Sequence, residues 1–113
     1  MGLRRGGLMP FAADETPGPG MQLRRIDVEA LRRSASPFRM SSFSLAPGAR
    51  SPRDVHSEKE IWMIAAGAGD LTCDDAMVMG VSAGDVLELP GGCSHSLLNT
   101  GTDPMLVFSV WWD

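Results

Sequence analysis

Residues 84–99, GDVLELPGGCSHSLLN, restrict the fold of this chain more than any other stretch. Val86, Leu87 and Leu89 sit among polar neighbours, as in a half-buried strand. Pro90-Gly91-Gly92 then favours a tight turn, because proline presets its own φ and glycine accepts positive φ. After the turn, residues 95–99 read as a second strand that begins with His95. A histidine opening a strand just past a turn can be aimed along the interior of a barrel, which suits a metal ligand.

The rest of the chain repeats this pattern of short strands and turns. Leu23 and Ile26 fit a short edge strand. Further candidates are 39–45, 60–66, 71–73, 77–79, 85–89, 95–99 and 105–112, divided by glycine, proline and aspartate. Such spacing predicts an all-β barrel or double-sheet jelly roll. One helical interruption is expected: Asp27 reads as an N-cap for one or two turns over 28–33, with Glu29 early and Arg32 and Arg33 late, as the helix dipole favours. Residues 1–20 hold five glycines and three prolines without hydrophobic periodicity, and are expected to form a disordered leader. Residues 21–113 are then the single domain.

The fixed points of 84–99 are Gly84, Pro90, Gly92, His95 and Asn99, and their spacing resembles the second motif of the cupin superfamily at each position. A stretch similar to the first motif lies upstream. Gly48 is followed after five residues by Asp54-Val55-His56, where the family has His-x-His; Glu60 and Gly67 follow at the family's spacing. The sixteen residues between Gly67 and Gly84 match the short separation of small single-domain bacterial cupins. The resemblance spans about 38–112 and implies a double-stranded β-helix, a jelly-roll barrel. It also implies a ligand set: His56, Glu60 and His95 fall on the family's metal positions, and the chain has no other histidine. Asp54 replaces the remaining histidine. It can ligate, orient His56, or face water at the barrel mouth.

The residues support this chemistry on their own terms. A metal-binding barrel needs imidazole and carboxylate groups converging from neighbouring strands, with positions left open for substrate. Strand alternation puts Glu60, Trp62 and Ile64 on one face, and His95, Leu97 and Asn99 on one face of another strand. With Arg53 near the mouth, Trp62, Ile64, Leu97 and Asn99 are the expected substrate-binding residues, and Glu60 is also the candidate catalytic base. Losing one imidazole hardens the site, so one divalent cation, Fe(II), Mn(II) or Zn(II), is expected in preference to copper.

Two function classes fit. One is a metal-dependent enzyme for a small molecule: a dioxygenase, isomerase, lyase or cyclase. The other is a non-catalytic ligand-binding cupin or partner subunit. Residues 56–62, HSEKEIW, and the closing SVWW resemble the zinc-binding cupin half of hydrazine-forming synthetases. The chain has no tyrosine, so a tyrosine general acid is excluded.

Composition narrows the partners. At 113 residues the chain holds one modest core. Residues 1–53 carry nine of the ten basic side chains, but these are scattered, mostly in pairs, and no nucleic-acid module accompanies them. No apolar run approaches the ~20 residues that span a bilayer, nor the apolar core of a secretion signal, so a cytoplasmic protein without membrane or nucleic-acid partners is expected. Cys73 and Cys93 are expected as thiols rather than a disulfide. Adjacent Trp111 and Trp112 must face opposite sides of the last strand. Together with Met40, Met63, Met77 and Met79 they suggest an exposed apolar sheet face, hence a homodimer.

Overall fold

The computed structural model describes residues 9–28 and 37–113. Its named elements are nine strands: β1 (Phe11–Glu15), β2 (Met21–Ile26), β3 (Arg39–Leu45), β4 (Lys59–Ala66), β5 (Ala68–Cys73), β6 (Met77–Ser82), β7 (Val86–Leu89), β8 (His95–Asn99) and β9 (Met105–Trp112). They form an antiparallel six-stranded sheet, β1-β2-β3-β9-β4-β7, and a three-stranded sheet, β6-β5-β8. The last strand inserts between β3 and β4, and β8 returns beside β5. This is the jelly-roll arrangement that the strand spacing and both motifs predict.

Alternation decides which side chains enter the core. On β4, Glu60, Trp62 and Ile64 are buried while Ile61 and Met63 are only partly covered. On β9, Met105, Val107 and Ser109 point inward, and on β8 His95, Leu97 and Asn99 do. The apolar core joins both sheets: Leu45, Ile64 and Val107 from the large one meet Leu71, Val81 and Leu97 from the small one. Gly67, at φ 88°, carries the chain from β4 to β5. A Cβ there would stand 2.9 Å from the Met105 backbone, so only glycine lets the two sheets meet this closely.

The N-terminal region differs from its sequence reading. Within the stretch expected to be a disordered leader, Phe11–Glu15 forms β1, paired with β2. Every residue of β1 is exposed, so no apolar periodicity marks it. Backbone pairing and cross-strand charges hold it: Arg25 to Glu15 at 2.6 Å, Arg24 to Asp14 at 3.5 Å, and the Arg24 guanidinium 4.7 Å from the Phe11 ring centroid. The helical turns expected over 28–33 lie, beyond Val28, outside the described residues. No helix among the described residues is long and apolar enough to cross a membrane.

Candidate metal centre

The segment before β4 runs antiparallel to β8 and is pinned to it at intervals. Ser51 N donates to Leu97 O at 2.8 Å and its hydroxyl accepts from Leu97 N at 2.8 Å. Asp54 and His95 exchange backbone hydrogen bonds of 3.0 Å in each direction, which places their side chains beside one another. The Pro90-Gly91-Gly92 turn fixes the next step. Gly92 N donates to His56 O at 2.7 Å, and Gly91 lies so close to the Ser57 carbonyl that a side chain there would collide with it. The turn between β7 and β8 thus locates His56 as well as His95.

Both histidines are anchored through Nδ1. His56 Nδ1 lies 3.0 Å from Glu58 O, and His95 Nδ1 lies 3.3 Å from Cys93 O. A carbonyl only accepts, so each Nδ1 carries the hydrogen and each Nε2 is left to face the interior. There Glu60 Oε1 stands 2.9 Å from His56 Nε2 and 3.7 Å from His95 Nε2. The other oxygen, Oε2, accepts from the Trp62 indole N–H at 2.7 Å and from the Ser109 hydroxyl. Glu60 is therefore clamped on one oxygen and presents the other to the two imidazoles.

Asp54 completes the group. Its Oδ2 is 3.9 Å from His56 Nε2, and Asp54, His56 and His95 each offer a ligand atom, all within 4.8 Å of one another. Of the three roles open from sequence, the convergence is compatible with ligation, while the Asp54 side chain, 61% exposed, also faces water. The donor set fits a divalent cation: two imidazoles held through Nδ1 so that Nε2 is the ligating atom, with Glu60 on one side and Asp54 on the solvent side. Without a cation the Nε2 of His56 faces carboxylates. Burial pulls its pKa down, but the hydrogen bond and charge of Glu60, together with Asp54 and the Glu58 carbonyl, outweigh burial and leave the imidazole above its ordinary value.

The centre lines a cavity of about 460 Å³. Met21, Phe43, Trp62 and Trp111 supply apolar and aromatic wall, and Ser41 and Ser51 supply neutral polar groups. Trp62 stands edge-on to both Phe43 and His95, with centroids 5.2 Å apart in each case. β2 contributes Met21, Leu23 and Arg25, so the N-terminal hairpin helps to build the cavity wall.

The residues expected to bind substrate divide. Trp62 and Arg53 line the cavity, but the Trp62 N–H is taken by Glu60, and Arg53 is clasped by Asp75 at 2.8 and 3.0 Å. Arg53 and Asp75 are exposed; their hydrogen bond and charges raise the one pKa and lower the other. Ile64, Leu97 and Asn99 lie in the core and do not line this cavity. They share an inward face with site residues, as alternation requires, but belong to the packed interior rather than to the cavity lining. Asn99 instead donates to Leu45 O at 2.9 Å and Asp103 O at 2.8 Å, and accepts from Gly101 N at 2.9 Å.

Sequence reasoning missed Ser109. Its signal was present: one hydroxyl at an inward position of the otherwise apolar strand MLVFSVWW. Ser109 pairs directly with Trp62, which explains how both reach the same oxygen. Cys73 and Cys93 are free thiols, as expected. Burial, with Cys73 and Asp74 nearby, pushes the Cys93 pKa up, which disfavours a reactive thiolate.

A family model described as the cupin domain matches residues 41–111, and the chain belongs to the cupin superfamily. Among solved structures it is similar to a Cupin 2 conserved barrel domain protein from Salinispora arenicola, with 28% identity and a TM-score of 0.73 over 100% of this chain and 89% of that one. It is also similar to a predicted oxalate decarboxylase from Thermotoga maritima, with 24% identity and a TM-score of 0.70 over 92% of each chain. KdgF from Halomonas sp. shares 15% identity with a TM-score of 0.72 over 96% of each chain. These last two likenesses concern the fold.

Proposed function

We propose that this chain is a metal-dependent cupin enzyme that converts a small organic molecule in the barrel cavity. The observation that carries the reading is the orientation of the two histidines. Both hold Nδ1 on backbone carbonyls and turn Nε2 toward Glu60 in the cavity lining. His56, His95 and Glu60 would hold one divalent cation, Fe(II), Mn(II) or Zn(II), with Asp54 as the fourth protein ligand. When bound, the cation supplies Lewis acidity or a site for activating water or O2. Glu60 suits a ligand better than a mobile base, because both donors on Oε2 restrain it. The aromatic wall excludes water and positions an apolar part of the substrate.

A second reading is a non-catalytic small-ligand-binding cupin or partner subunit. It is favoured by one observation: both oxygens of Glu60 are engaged, Oε2 by the Trp62 indole and the Ser109 hydroxyl and Oε1 by His56. Either role is compatible with a homodimer, which we carry forward as part of the proposal because Met77, Val78, Met79 and Val86 expose apolar surface on β6 and β7.

Elemental analysis of protein purified without chelator, beside His56→Ala and His95→Ala, tests the metal. About one cation per chain, lost in both variants, is the expected result. No uptake, even after anaerobic reconstitution with Fe(II), Mn(II) or Zn(II), overturns the metal reading.

A further inference from the structure

Asp54 alters the charge of the centre, and this limits what the cavity can accept; the inference rests on the metal reading above. Asp54 and Glu60 together cancel the charge of a divalent cation, since the two imidazoles are neutral as ligands. A third carboxylate, Glu58, also lines the cavity, with Oε1 3.8 Å from His56 Nδ1. The loaded centre is thus neutral to negative, whereas a histidine at position 54 would leave it one charge more positive.

The arginines nearby do not offset this. Arg25 and Arg53 line the cavity, but each is paired at the rim: Arg25 with Glu15 at 2.6 Å, Arg53 with Asp75 at 2.8 Å and 3.0 Å. Arg50 donates to the Ser96 hydroxyl at 3.2 Å and is not among the lining residues. The remaining wall is apolar or uncharged, with Phe43, Trp62, Trp111, Ser41 and Ser51. In such a partly desolvated space a like charge is felt strongly.

We propose that the cavity selects an uncharged, oxygen-bearing small molecule and disfavours anionic chelators such as dicarboxylates, and that Asp54 is the residue that sets this preference. Hydroxyl or carbonyl oxygens suit the centre and the serines, and an apolar portion suits the aromatic wall.

The test uses Zn(II) as the probe metal. Wild type, Asp54→His and Asp54→Asn are each loaded, metal content is verified by elemental analysis, and oxalate and the uncharged chelator hydroxyacetone are titrated calorimetrically. The expected result is oxalate binding at least about tenfold tighter to both variants than to wild type, with hydroxyacetone changed far less. Equal oxalate affinity in all three loaded proteins overturns the inference while leaving the metal reading intact. A gain for hydroxyacetone as large as that for oxalate also overturns it, because the substitution has then only opened the site. A wild-type chain that takes up no Zn(II), Fe(II) or Mn(II) overturns the metal reading and this inference with it. Asparagine keeps the shape of aspartate, so the charge effect is still read if the histidine variant does not fold.

Discussion

Trp62 and Ser109, opposite each other on β4 and β9, donate to the same oxygen of Glu60. The indole N–H reaches Oε2 at 2.7 Å from a residue only two positions along the same strand, while the hydroxyl comes from across the sheet. One carboxylate oxygen is thereby saturated and the other is directed at His56 and His95.

Ser109→Ala is expected to lower divalent-metal affinity roughly tenfold, because groups that orient a ligand commonly matter that much. Ser109→Thr should recover most of the loss. Trp62→Phe keeps the ring packing against Phe43 and His95 but removes the N–H, and should lower affinity by a similar factor. Chelator-competition titrations measure this, with circular dichroism as the check on folding. Unchanged affinity in both Ser109→Ala and Trp62→Phe would show that Glu60 needs neither donor.

Metal uptake should release a proton and strengthen with pH. The folded pKa of His56 lies above its ordinary value of about 6.5, so the ring must lose a proton before Nε2 can ligate. For the metal-free protein the sign is the reverse. A raised folded pKa contributes stability that is fully present below about 6.5 and is lost as pH rises through the raised value. The difference in melting temperature between loaded and metal-free protein should therefore widen from about pH 6.5 upward, as pH rises through the raised folded pKa of His56. Thermal scans across that window, with calorimetry in buffers of different ionisation enthalpy, read both effects. A constant difference with no proton release would contradict this account.

Asn99 should behave as a structural residue rather than a substrate contact. Its side chain satisfies the carbonyls of Leu45 and Asp103 and the N–H of Gly101, and only 1% of the residue is exposed. Asn99→Ala leaves these groups without their partner and should cost about 3 kcal/mol or more in urea unfolding. Metal affinity of the folded fraction should stay near wild type. A selective loss of ligand binding with unchanged stability would return Asn99 to the site.

Leu97 and Ile64 give a parallel comparison in the apolar core. Both are almost wholly buried. Leu97→Ala and Ile64→Ala should each destabilise the protein by roughly 2–5 kcal/mol through lost burial and the cavity left behind. Because neither lines the cavity, small-ligand affinity in the folded fraction should change little. A large change there would mean that the cavity extends into the core beyond Trp62.

The sequence by itself determined where each strand after residue 38 lies, although β5 and β6 run beyond the 71–73 and 77–79 it marked, together with their inward and outward faces and the placement of His56, Glu60 and His95. Strand alternation depends only on neighbours two apart, so Glu60, Trp62 and Ile64 could be assigned to one face without knowing the sheet. Both histidines and Glu60 were legible from motif spacing, because a turn of set length and a strand of set period place them. The order of the strands, the pairing of Trp62 with Ser109, and the depth of each inward residue were decided only in the tertiary structure. Alternation says which face a side chain takes, not how far along the barrel axis it lies, so Ile64, Leu97 and Asn99 could not be told from cavity residues. Nor could β1 be read, since its exposed residues leave no apolar pattern and its order comes from pairing with β2. The environment of Asp54 likewise depends on its register against His95, a contact across 41 positions of sequence that no local pattern encodes.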